Sequence, residues 1–259
     1  MKKMIRKNLT KKGQITIFII LAIAIVIVLV LLFVGRERLT TIITGEPPIE
    51  QIQKCILDSF EPALETISLQ GGSLNPENYF LYKNEKIDYL CYTEEIYTRC
   101  VMQKPFLKQA IEKELEEYIE PIARNCIESV KSSLQNKGYE VSSKVPQVEV
   151  SFVPNTILLD VKTDLRITKE TTQAYESIKI DLDSNLYKMI MVASSISNWE
   201  ARYGDSETMN YMFYYPSLKV EKKKQSDGTT IYILTDRASE DKFIFASRSV
   251  ALPAGLTGQ

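Results

Sequence analysis

Residues 14–34 read QITIFIILAIAIVIVLVLLFV, and from Ile17 to Val34 no side chain is polar. As an α-helix this run spans roughly 31 Å, close to the hydrocarbon thickness of a bilayer. A core helix of a water-soluble domain keeps a polar edge, and this segment has none. A cleaved secretory signal has an apolar core of about 7–15 residues and ends at a small-residue site. This core is longer, and no A-x-A-like site follows Val34. Residues 14–35 are therefore expected to form a retained transmembrane helix. Lys2, Lys3, Arg6, Lys7, Lys11 and Lys12 precede it, with no acidic residue among the first 13. The positive-inside rule makes 1–13 a basic cytoplasmic leader and puts the C-terminal domain outside the cell. The expected location is the cell membrane, crossed once, with the lipid bilayer as first partner.

Composition narrows the chemistry. The formal charge of −1 combines six leader cations with a remainder of about −7. A mildly acidic outer domain has no general affinity for nucleic acid. The chain has no histidine. That removes the commonest general base and zinc ligand, and with them every hydrolase built on a histidine triad.

Four cysteines, Cys55, Cys91, Cys100 and Cys126, lie on the expected outer side. An even number in an exported domain points to disulfides, with three connectivities open. Cys91 and Cys100 bracket CYTEEIYTRC, which can fold back as a hairpin, while Cys55 and Cys126 fall in two helical patterns. Cys91–Cys100 and Cys55–Cys126 are therefore favoured over four reduced, buried thiols. No C-x2-C pair suggests a metal site.

The outer region reads as α+β. A stalk or linker occupies 36–48, ended by Gly45 and Pro47-Pro48. A helical subdomain, 49–140, carries the disulfide candidates. Ile49, Ile52, Ile56, Phe60, Ala63, Leu64 and Ile67 recur at helical spacing, and Gly71-Gly72 stops them. Residues 79–102 look extended. A second stripe runs through Leu107, Ile111, Leu115, Tyr118, Ile122, Cys126, Val130 and Leu134, with Gly138 as a C-terminal cap. Pro121 is expected to kink or split this helix. Glu112, Glu114, Glu116, Glu117 and Glu120 read as a solvated face.

From Val145 the period changes to two, opening an antiparallel, β-rich α+β subdomain over 141–259. Val148, Val150 and Phe152, then Leu159, Val161, Leu165 and Ile167, alternate with polar residues. A third strand is expected at 178–182. A helix at 184–201 follows, with Leu186, Ile190, Ala193, Ile196 and Trp199 apolar. Strands at 209–223, 229–235 and 242–252 close the chain around an Asp227-Gly228 hairpin turn. The expected architecture is one antiparallel sheet with a single further helix.

Motifs for chemistry are weak. Asp181-Leu-Asp183-Ser-Asn185 opens like a calcium loop but lacks its glycine and its bidentate glutamate, so Asp183 or Ser184 reads as a helix N-cap. Ser239-x-x-Lys242 lacks the companion elements of serine–lysine enzymes and reads as a turn. Glu221-Lys-Lys-Lys224 reads as a charged hairpin end that discourages edge pairing. Tyr211, Tyr214 and Tyr215 make at most a weak aromatic patch, since alternation would bury half of them. No catalytic residue, metal ligand or cofactor is expected, and the chain does not read as an enzyme.

Lys11-Lys12-Gly13-Gln14-Ile15-Thr16, running into the apolar stretch, resembles the class III signal peptide of archaeal type IV pilin-like proteins. The resemblance implies cleavage between Gly13 and Gln14 by a prepilin peptidase, with the hydrophobic segment retained. It implies a non-enzymatic, membrane-anchored surface protein, a cell-envelope structural or adhesion component that associates with itself or an envelope partner. Where that family usually carries glutamate at the fifth mature position, this chain has Phe18. The alternative is an ectodomain that binds a ligand or envelope partner without assembling.

Overall fold

The structure is a computed structural model and describes residues 46–251. The leader, the segment 14–35, most of the linker and the processing pair Gly13 and Gln14 lie outside the described residues. Among the described residues, no helix is long and apolar enough to cross a membrane. The chain divides into Met1–Glu50 and Gln51–Gln259. The architecture below belongs to the second unit, apart from the first residues of helix α1.

The class is α+β. Helix α1 spans Pro48–Leu69, with proline at the first position, where its missing N–H costs nothing. Ile52, Ile56, Phe60, Ala63 and Ile67 are its buried stripe. Strands β1 (Tyr79–Tyr82), β2 (Glu85–Tyr92) and β3 (Val101–Met102) follow, then helix α2 (Leu107–Asn136). Pro121 does not split α2, contrary to expectation. Residues on both sides of it, Ile119 and Ala123, are fully buried, and packing outweighs the missing hydrogen bond. The buried stripe passes through Ile119, Ala123 and Ile127, leaving Tyr118 exposed. Gly138, in the left-handed region, does cap the helix: its N–H meets the Gln135 carbonyl and the Tyr139 N–H meets that of Leu134. This is a Schellman closure.

Strands β4 (Glu140–Ser142), β5 (Gln147–Val153), β6 (Thr156–Thr168) and β7 (Thr172–Asp183) form one antiparallel sheet. β4 and β5 pair along one edge of β6 and β7 along the other. Helices α3 (Leu186–Tyr203) and α4 (Met209–Tyr214) precede β8 (Leu218–Lys224), β9 (Thr230–Asp236) and β10 (Lys242–Ser247).

Two corrections to the expected architecture follow. Among the described residues there are two sheets, and the six-stranded one, ordered β1-β2-β10-β9-β8 with β3 beside β2, is mixed because β10 runs parallel to β2. The stretch read as a single strand from Met209 begins as the six-residue helix α4. α3 lies on the six-stranded sheet. There Tyr232 and Phe245, both fully buried, stack at 5.0 Å.

The glutamates of α2 are only partly a solvated face. Glu116 accepts the Val150 N–H at 2.9 Å and Glu112 the Phe152 N–H at 2.7 Å. Four residues on a helix and two on a strand advance by nearly the same length, about 6 Å and 6.8 Å. The i, i+4 pair therefore closes the outer edge of β5. Glu114 accepts the Leu74 N–H at 2.6 Å and the Ser73 hydroxyl at 3.0 Å. Glu117 and Glu120 remain solvated.

Candidate functional site

The candidate surface is built on α3. Its inward stripe, Leu186, Met189, Ile190, Ala193, Ile196 and Ser197, continues at the same period to Glu200. Trp199, expected among the apolar positions, is instead 47% exposed, whereas Glu200 is 2% exposed. On the outer side Met191, Ser195, Trp199 and Tyr203 recur every four residues, all exposed. Neighbours at that spacing touch, and the Trp199 and Tyr203 rings lie 4.4 Å apart.

α4 extends this face. The Tyr211 hydroxyl meets that of Ser195 at 2.9 Å, and no α4 residue is buried. Met209, Phe213 and Tyr214 are open to solvent, Phe213 at 81%. Residues 208–217, TMNYMFYYPS, carry no charge. The tyrosines predicted to be half core-facing thus belong to a broader aromatic surface, since a helix without a buried side imposes no alternation.

Beyond Tyr203 lies an open hollow of about 570 Å³, lined by Thr98, Arg99, Cys100, Ala201, Arg202 and Tyr203. The Arg99 guanidinium donates to the Arg202 carbonyl at 2.7 Å. The far wall is the loop closed by the Cys91–Cys100 disulfide, with Ile96 and Tyr97 exposed on it. The other pair, Cys55–Cys126, ties α1 to α2. Trp, Tyr and Arg are the residue types that carry most binding energy at protein interfaces.

Glu200 holds the base of this surface. It accepts the Tyr232 hydroxyl, the Ser206 N–H at 2.9 Å and the Ser247 hydroxyl at 3.3 Å. Lys222 pairs with Asp205 and donates to the Ser206 carbonyl at 3.1 Å. The Gly204–Ser206 turn leading into α4 is thereby fixed. Gly204 sits at φ 87°, and a Cβ there would lie 2.3 Å from Val250. Burial pushes the Glu200 carboxyl above its ordinary range, against the Tyr232 hydroxyl and the Lys222 charge. Burial and Glu200 together push the Tyr232 phenol far up. Donors surrounding a buried carboxyl make a structural tie beneath this surface.

The other motif residues stay apart from this face. The N-cap of α3 is Asn185, without a side-chain cap, and not Asp183 or Ser184 as expected; the Ser184 hydroxyl accepts the Leu186 N–H at 3.2 Å, and Asp183 is exposed. The Ser239 hydroxyl donates to Asp241 at 2.8 Å, in the turn before β10. Lys219, Lys223 and Lys224 line the edge strand β8, but Lys222 turns inward.

The chain is a disulfide-stapled α+β protein with exposed aromatic side chains gathered on α3 and α4. No protein-family model, curated protein or solved structure matches it.

Proposed function

We propose that this chain is a non-enzymatic, single-pass membrane-anchored protein of pilin-like type, its C-terminal domain outside the cell. It serves as a structural or adhesion component of the cell envelope. The observation that carries the reading is the Lys12-Gly13-Gln14 junction running into 18 apolar residues, Ile17 to Val34. Pairing of all four cysteines supports it, because disulfides persist in oxidising compartments and are rare in the cytosol. The aromatic face on α3 and α4 is the contact surface, with Trp199, Tyr203, Phe213 and Tyr214 exposed and the 208–217 segment free of charge.

Phe18 and that same face favour a second reading, an anchored ectodomain that holds an envelope partner without assembling. Intact mass and N-terminal sequencing of protein from native membranes separate the two. A chain beginning at Gln14 is expected for prepilin-peptidase processing. A chain still carrying Met1 or Lys2 overturns the pilin-like reading and leaves an ordinary signal anchor.

A further inference from the structure

The sheet edges of this protein are not treated alike. β5 is closed by Glu112 and Glu116. The outer strand β8 carries Lys219, Lys222, Lys223 and Lys224. β1 is four residues long, followed by Lys83 and paired through Leu81 with Lys86 of β2. Short strands, lysines and covering side chains are the ordinary ways to blunt an edge. β7 has none of these over its first half. It is twelve residues long and pairs with β6 along one side only. Thr172, Gln173, Ala174 and Glu176 are exposed, Tyr175 and Ser177 half-buried, and Glu176 is the single charge among them.

The direction of the free backbone groups follows from one contact. Gln53 of α1 donates to the Lys179 carbonyl at 2.8 Å, so Lys179 points its backbone groups away from β6. In an antiparallel strand alternate residues share that direction, which sets Ser177, Tyr175 and Gln173 facing outward too.

We infer that the Thr172–Ser177 edge of β7 is a self-association surface that pairs antiparallel with the same edge of a second copy, extending the sheet across a two-fold axis at Tyr175. A second copy is the occupant that the charges select. Centring on Tyr175 sets Glu176 opposite Ala174 and brings the Lys169–Glu170 turn of each copy beside Asp181 and Lys179 of the other. A centre at Glu176 would set two carboxylates face to face. The inference deepens the structural-component reading but does not need the leader to be cut, so the two experiments fail separately.

The test is cysteine cross-linking of the full chain in native membranes, with a single cysteine at Tyr175, a pair at Gln173 and Ser177, which face each other across the axis, and a single cysteine at Gln173. Residues facing each other in a hydrogen-bonded antiparallel pair are about 5.5 Å apart at Cα, within disulfide reach. Mild oxidation is expected to give a homodimer for Tyr175→Cys and for the Gln173→Cys/Ser177→Cys pair, and none for Gln173→Cys alone. Adding Ser177→Pro removes one outward N–H and spares the β6 ladder, and it is expected to abolish the Tyr175→Cys dimer. Retention of both native disulfides, read by mass, establishes that this variant folds. Absence of dimer for both Tyr175→Cys and the Gln173→Cys/Ser177→Cys pair, a Tyr175→Cys dimer indifferent to Ser177→Pro, or cross-linking to a different protein overturns the inference.

Discussion

Glu200 and Asp236 are both buried carboxyls, and they respond to pH with opposite sign. Burial works against ionisation of Asp236, but Lys188 at 2.7 Å and the N–H groups of Ala238 and Ser239 outweigh it and hold its carboxyl below the usual range. Its contribution is present above the ordinary aspartate value and is lost as pH falls through the depressed one. Glu200 is raised, so the folded state binds its proton more tightly. That contribution is present below the ordinary glutamate value and is lost as pH rises through the raised one. Glu200→Gln is therefore expected to flatten the thermal-stability profile above about pH 4.5 and to gain on the wild type as pH rises through the raised value. Glu200→Ala strands the Tyr232 hydroxyl and the Ser206 N–H and is expected to cost about 2–4 kcal/mol. Parallel wild-type and Gln profiles in a melting series would sink the assignment. The inversion of Trp199 and Glu200 was partly legible: four turns of 3.6 residues from Leu186, the first of the stripe, land on Glu200, whereas the local spacing of three through Ile190, Ala193 and Ile196 points to Trp199. Residue type decided wrongly between them, because tryptophan is apolar and glutamate ordinarily is not buried.

Among the elements, α2 and β5 depend on each other. Removing either glutamate leaves a strand N–H without its acceptor, and Glu116→Ala or Glu112→Ala is expected to cost roughly 1–3 kcal/mol. Amide exchange reads this locally. Val150 should lose protection in the first variant and Phe152 in the second, and unchanged exchange would mean the edge is closed by something else. Periodicity revealed α1, α2, β5 and β6 because each has one buried side. It failed at residues 209–214, whose aromatics favour a strand by propensity while nothing there is buried. Pro216 was the missed signal, since proline inside a presumed strand argues against it. That helix carries much of the aromatic face, so the face was the least legible part of the molecule.

For the whole molecule, the two disulfides differ in what they constrain. Cys55–Cys126 closes 71 residues and Cys91–Cys100 closes 9. The chain-entropy account assigns about 4 kcal/mol to the first and roughly 2.5 to the second. Replacing both members of the longer pair with alanine should lower the urea midpoint more than the same change at the shorter one, and the reverse order would show that native-state packing dominates. The helix pairing was legible in the cysteine positions. The parallel contact of β2 with β10 was not, because nothing local marks a partner some 150 residues away, between Tyr92 and Lys242.

That contact sets a condition on synthesis. β10 lies between β2 and β9, so the six-stranded sheet has a gap at its centre until the ribosome has released the last described strand. A transcript cut short between Asp236 and Lys242 still encodes all four described helices and every cysteine. Its product has two half-sheets with open edges and no completed floor beneath α3, which makes it a substrate for proteolysis and not a shorter version of the protein.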